Sequence, residues 1–226
     1  MKPNQTPTYA YTQHQTTVKI IEEVCSRHVA TLSQDRTRDP VDDVLHQLPP
    51  EALTQGATLY AVMPVDKLVE LKSRAPQLRI ILLQLDGSVI ERLTNRPYDP
   101  KADYPAEVVR QALKAIEIKG GRIRYMTFSE MMYEIKRRHG KAAVFNDVMR
   151  EGVKLAQSRL GIDVELAKTC NGGGCAEINP MGGKPGYRIS FPGTAGRLTP
   201  EQIAEALLNG TARLYHVEVE SEEVLC

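Results

Sequence analysis

Arg122-Ile123-Arg124-Tyr125-Met126-Thr127-Phe128-Ser129-Glu130 holds the clearest change of pattern in the chain. Its first five residues alternate as a short strand does. Its last four form a capping box: the Thr127 hydroxyl accepts from the Glu130 N–H while Glu130 reaches back to the Thr127 N–H. The pattern predicts a helix from there, with Phe128, Met131, Met132 and Ile135 facing inward. The helix passes through Lys136-Arg137-Arg138-His139 and stops at Gly140.

On the N-terminal side, Tyr104-Pro105 opens a helix, with proline at the first position, where its missing N–H costs nothing. Val108, Val109, Ala112, Leu113 and Ile116 recur at helical spacing, and Gly120-Gly121 ends the run. On the C-terminal side a third helix is expected over 142–160. Phe145, Val148, Met149, Ala156 and Leu160 share one face, and Gly152 allows close approach. Asn146, Asp147, Arg150, Lys154, Gln157 and Ser158 lie opposite, and Gly161 follows as the C-terminal glycine. Two strands are expected at 162–166 and 187–191, joined by a long glycine-rich connection that carries Cys170 and Cys175.

This succession over residues 104–191 of the 226 resembles a winged helix-turn-helix domain of the kind found as effector domains of two-component response regulators. In those domains a hairpin ending in a Gly-x-Gly-Tyr-Arg-type strand follows the recognition helix. The corresponding stretch is Gly183-Lys184-Pro185-Gly186-Tyr187-Arg188. Two features depart from the family: the connection is longer than a usual wing, and no phospho-receiver domain is recognisable before it. The resemblance implies that the 142–160 helix enters the major groove of double-stranded DNA while the glycine loop touches the backbone. Asn146, Arg150, Lys154 and Gln157 would then face the groove. Lys136, Arg137, Arg138, Lys141, Lys184 and Arg188 would contact phosphates.

Charge is partitioned along the chain in the same sense. Residues 1–99 are net −1, residues 100–198 net +7 and residues 199–226 net −5, which together give the overall +1. Phosphate binding needs excess cations, and they fall on the winged-helix-like stretch. A hydrophobic content of 42% with 25% charged residues allows an ordinary globular core. No apolar run approaches the length of a membrane span. The N-terminus lacks a basic region followed by an apolar core, so no signal peptide is read there. Cys25, Cys170, Cys175 and Cys226 are too few and scattered for a disulfide framework, which predicts free thiols and a reduced, cytoplasmic protein.

The remaining stretches frame the centre. Residues 1–15 read as a disordered arm. Residues 16–99 form a small α/β module. In it, Val18, Ile21, Cys25, Val29 and Leu32 make a helical stripe, and Asp39-Pro40 and Pro49-Pro50 start short helices. Thr58–Met63 is a strand, Pro64 opens a helix, and Leu78–Leu85 is a buried central strand. Asp86-Gly87 reads as a two-residue hairpin turn, with Ser88–Leu93 returning beside the strand. Arg96–Pro100 is the linker candidate. The domain 100–226 ends in a helix from Thr199-Pro200-Glu201-Gln202, a strand over 212–219 and an acidic tail. No internal repeat is apparent. The expected fold class is α+β: a small N-terminal α/β module, a winged-helix-like domain and a C-terminal helix-strand extension.

Other chemistries find incomplete motifs. Cys170-x4-Cys175 lacks the second ligand pair that structural zinc wants. Cys175 with His216 as base lacks a third group to orient the histidine. Gly182-Gly183-Lys184-Pro185 lacks the Ser/Thr and the following helix of a P-loop. No cofactor or metal is expected. The leading expectation is a non-enzymatic regulator that binds double-stranded DNA, as a homodimer through the 1–96 module or the C-terminal strand. The alternative is an adaptor or inhibitor docking on an acidic protein partner, and the third reading is a cysteine-dependent enzyme.

Overall fold

The structure is a computed structural model that describes residues 6–26, 28–35, 37–99, 102, 104–168, 175–178, 186–191 and 198–224. Among these are nine helices and ten strands of a mixed α/β protein, divided into two compact units. The first comprises Met1–Gly121 with Val219–Cys226, and the second comprises Arg122–Glu218.

The first unit opens with β1 (Thr8–Tyr11), followed by α1 (Gln15–Cys25), β2 (Ala30–Thr31), α2 (Pro40–Gln47), α3 (Pro50–Gln55) and β3 (Thr58–Ala61). Then come α4 (Val65–Arg74), β4 (Arg79–Leu85), α5 (Gly87–Thr94), α6 (Ala106–Ala112) and β5 (Leu113–Met126). The strand order is β2-β1-β3-β4-β5. The first four strands are parallel, and β5 runs antiparallel to β4. Right-handed crossovers that leave β1 in one direction and β3 in the other place α1 and α4 on opposite faces. Accordingly α1 packs on α6, over Ala10, Ile81 and Ala115, while α2 packs on α4.

The second unit contains α7 (Phe128–His139), β6 (Lys141–Val144), α8 (Asp147–Leu160), β7 (Glu165–Ala167), β8 (Cys175–Ile178), β9 (Gly186–Ser190), α9 (Pro200–Leu208) and β10 (Arg213–Val224). Its strand order is β7-β6-β8-β9-β10. Here too the first four strands are parallel and the last is antiparallel to its neighbour. Counted from β6, the order repeats that of the first unit strand for strand. A repeat invisible in the residues is therefore present in the topology. β5 and β10 each run through both units, passing the boundary at Gly121/Arg122 and Glu218/Val219. One core in the second unit gathers Met131, Met132 and Ile135 of α7, Val153 and Ala156 of α8, Ile178 of β8 and Ile203 of α9.

The capping signals hold. Asp39 accepts from the Val41 N–H at the start of α2, and both Thr127 and Thr199 complete their capping boxes. Val65, Leu68 and Leu71 are buried on α4, and Leu78, Ile80, Ile81, Leu82 and Leu83 supply the buried core around β4. Gly152 is buried where α8 meets α9, and a methyl group there would lie 2.4 Å from Ile203 Cγ2.

Several expectations are corrected. Residues 1–15 include β1, a central strand with Ala10 fully buried. The 96–99 segment connects α5 to α6 inside the first unit. Asp86-Gly87 is not a hairpin turn. Asp86 caps α5, accepting from the N–H groups of Ser88 and Val89, because β4 continues a parallel layer and finds its antiparallel partner only in β5. The helix opened at Pro105 ends at Ala112, and β5 runs on through Gly120-Gly121. Ala115 and Ile118, on opposite faces of that strand, are both buried, which a strand packed on two sides requires. Gly120 sits where an added Cβ would approach Glu220 to 3.3 Å, so the glycine serves a close strand neighbour rather than a helix end. The stretch read as one helix over 142–160 is β6 followed by α8. Its buried stripe is Met149, Gly152, Val153, Ala156 and Gln157, leaving Phe145, Val148 and Leu160 exposed. The expected hairpin does not form: β7 pairs with β6, and β9 pairs parallel with β8 and antiparallel with β10. The acidic C-terminal stretch from Glu218 is part of β10.

Candidate nucleic-acid interface

The residues nominated for DNA contact separate into three groups once they are placed. The first is occupied in holding the fold. Asn146 is the N-cap of α8, its Oδ1 accepting from the Met149 N–H at 3.1 Å. Gln157 is 5% exposed and donates to the Val164 carbonyl at 3.1 Å, which ties α8 to the start of β7. Arg188 lies in the middle of β9 and is 4% exposed. Lys141 is half-buried on β6, and Lys184 lies outside the described residues.

The second group is charge-paired. Arg150 meets Asp147 at 2.7 Å, Lys154 meets Glu151 at 3.1 Å, and Arg138 meets Glu134 at 3.2 Å. Glu134 is the hub of a buried network. It also takes Arg124 from β5, and the Tyr187 hydroxyl donates to its Oε1 at 3.1 Å. Burial alone would raise the Glu134 pKa. The hydrogen bonds from Arg124 and Tyr187 and the two arginine charges overcome it and hold the carboxyl below its ordinary value. The Tyr187 phenol is pushed up to about 12, first by burial and then by the Glu134 charge. The Tyr187 ring lies on His216, centroids 4.6 Å apart. His216 is largely buried on β10, and that burial lowers its pKa, partly offset by Glu218.

The third group is available. Lys136 and Arg137 are exposed in the last turn of α7 and have no ion partner among the described residues. Positions i, i+3 and i+4 of a helix share a face, so Tyr133, at 72% exposure, stands beside both cations. This face is set by the inward stripe opposite it: Met131, Met132 and Ile135 fix the helix rotation, and the capping box at Thr127 fixes its start. Tyr133 was not singled out in the sequence. The signal was its place between the apolar positions and two cations at helical spacing. Tyr133 and Lys136 also line a hollow of about 490 Å³ with Met132, Leu160, Ile162 and Asp163.

The cysteine expectation is corrected as well. Cys25 is a free thiol, but Cys175 is disulfide-bonded, and a disulfide sulfur is neither a thiolate nucleophile nor a zinc ligand. Among the described residues no cluster of three or more His, Cys, Asp or Glu is placed to hold a metal ion, and no helix is long and apolar enough to cross a membrane. No family model, curated protein or solved structure matches the chain.

Proposed function

We propose that this protein is a non-enzymatic nucleic-acid-binding regulator whose contact surface is the outer face of α7. The observation that carries the reading is the exposed Tyr133, Lys136 and Arg137 on one helical face, with both cations lacking an ion partner among the described residues. Unpaired surface cations attract phosphates and release condensed counterions on binding, whereas cations already paired with carboxylates contribute little. The wider surroundings favour the same sign: the second unit carries 14 Lys+Arg against 10 Asp+Glu, a net +4. The sequence resemblance to a winged helix implied a nucleic-acid partner, although the first four strands of the second unit form a parallel layer and not a wing hairpin. This reading keeps the nucleic-acid partner which that resemblance implies and moves the contact from α8 to α7.

The test is an anisotropy titration with labelled DNA and RNA at about 50 and about 200 mM salt. Binding weakens with salt, and Lys136→Ala and Arg137→Ala each flatten the salt slope by roughly 0.7–0.9. Absence of binding to any nucleic acid at the lower salt overturns the reading. Capture of an acidic protein by the same face would replace it with the adaptor.

A further inference from the structure

The hollow beside Tyr133 adds what a plain phosphate-binding face does not need. Its lining combines the apolar Met132, Leu160, Ile162 and Val164 with the polar Ser129 and Asp163. Its volume of about 490 Å³ falls within the range of small-ligand sites. The Tyr133 ring stands at its edge with most of its surface in water, although Ser or Lys in its place would cost the helix less exposed apolar area. An aromatic ring, an apolar hollow and two cations within one helical turn are the components of a stacking platform.

Resting on the nucleic-acid reading above, we propose that the partner is a single strand, one of whose bases leaves its neighbours, stacks on Tyr133 and lodges in the hollow. Lys136 and Arg137 hold the phosphates flanking that base. Charge sets the polarity of the contact: Asp163 repels phosphate, so the backbone passes on the Lys136–Arg137 side and the base edge faces Asp163. A duplex cannot make this contact, because its bases are stacked and paired inside, and only its phosphates reach the two cations.

The experiment compares one sequence as a single strand, as a duplex and as a single strand with abasic sites, against the intact protein and its variants. The single strand binds more tightly than the duplex. Tyr133→Ala weakens the single strand about 10-fold or more, the effect of losing one stacked base, and weakens the duplex by a much smaller factor. Tyr133→Phe keeps the ring and restores single-strand affinity. The abasic strand binds the unaltered protein as weakly as the intact strand binds Tyr133→Ala, and the two losses do not add. Because Tyr133 is exposed, the variants fold normally, which circular dichroism verifies. Duplex binding equal to or tighter than single-strand binding overturns this inference while leaving the proposed function standing. Equal affinity for abasic and intact strands does the same. Failure to bind any nucleic acid at low salt overturns both.

Discussion

The two units share a strand order and differ in the sign of their net charge. In the first, four long cationic side chains are matched: Lys67 meets Asp39 at 2.6 Å, Arg74 meets Asp42 at 2.8 Å, Arg79 meets Glu117 at 2.9 Å and Lys114 meets Asp86 at 2.8 Å, while Lys19, Arg92 and Arg96 are exposed without an ion partner among the described residues. That unit holds 15 Lys+Arg and 18 Asp+Glu, a net −3. The second is net +4 and leaves Lys136 and Arg137 without ion partners among the described residues. The same topology therefore supports a net acidic unit in one place and a net basic one in the other. Buried positions such as Leu59 and Ile80, or Ala142 and Ile178, carry the topology. Outward side chains carry the partner, and they change without disturbing the sheet.

Core truncations test whether the two cores are equivalent. Leu59→Ala in β3 and Ile135→Ala in α7 both remove a fully buried side chain, and each should cost about 2–5 kcal/mol in denaturant melts. A loss below 1 kcal/mol in one of them would show that its unit lacks the close packing of the other. Gly152→Ala comes next. Its new methyl would meet Ile203 Cγ2 at 2.4 Å and the Pro200 carbonyl at 3.1 Å, so about 1–3 kcal/mol should be lost. Gly87→Ala in the first unit meets the Tyr98 side chain, nearest at 3.0 Å, and a shift of that side chain should keep its effect smaller. Equal effects at the two glycines would break the contrast.

A titration distinguishes the units further. His216 has a folded-state pKa below its ordinary 6.5 because it is buried. The unfolded chain then takes up the proton more readily, so the associated stability is complete above about pH 6.5 and is lost as pH falls through the folded value. The melting temperature should drop between about pH 7 and pH 5, and His216→Phe should flatten that drop. An unchanged slope in the variant would assign the acid sensitivity elsewhere. The smallest effects separate structure from binding on neighbouring helices. Asn146→Ala should cost about 1 kcal/mol of stability and leave nucleic-acid affinity intact, since it removes a cap. Lys136→Ala should stay within about 0.5 kcal/mol in stability yet weaken binding. The reverse pattern would return the contact to α8.

Local signals were legible because their physics is local. A capping box closes within four residues, so Thr127 and Thr199 mark their helices whatever lies around them. The buried face of α7 is readable for the same reason, since its spacing depends only on the helix period. Asp86-Gly87 failed because an Asp before Gly-Ser caps a helix as well as it starts a turn. The choice depends on whether the next strand lies beside β4, which is a long-range matter. Residues 104–120 failed at their second half because Leu113 and Ile116 fit both a helix stripe and a strand packed on two faces.

The interface divides in the same way. Composition marked the basic stretch, and Lys136 and Arg137 were among the residues that the winged-helix resemblance nominated within it. Tertiary structure withdrew Asn146, Gln157, Arg138, Arg150 and Lys154 by giving each a cap, a buried carbonyl or a carboxylate to hold. By itself the amino-acid sequence determined where most helices begin, which of their faces are apolar and where the positive charge lies. Strand order, the repeat of that order in both units and the short roll of cations left available were decided only by the folded chain. Each of those depends on partners far apart in sequence, and no pattern within a few residues can encode which partner a strand or a charge will meet.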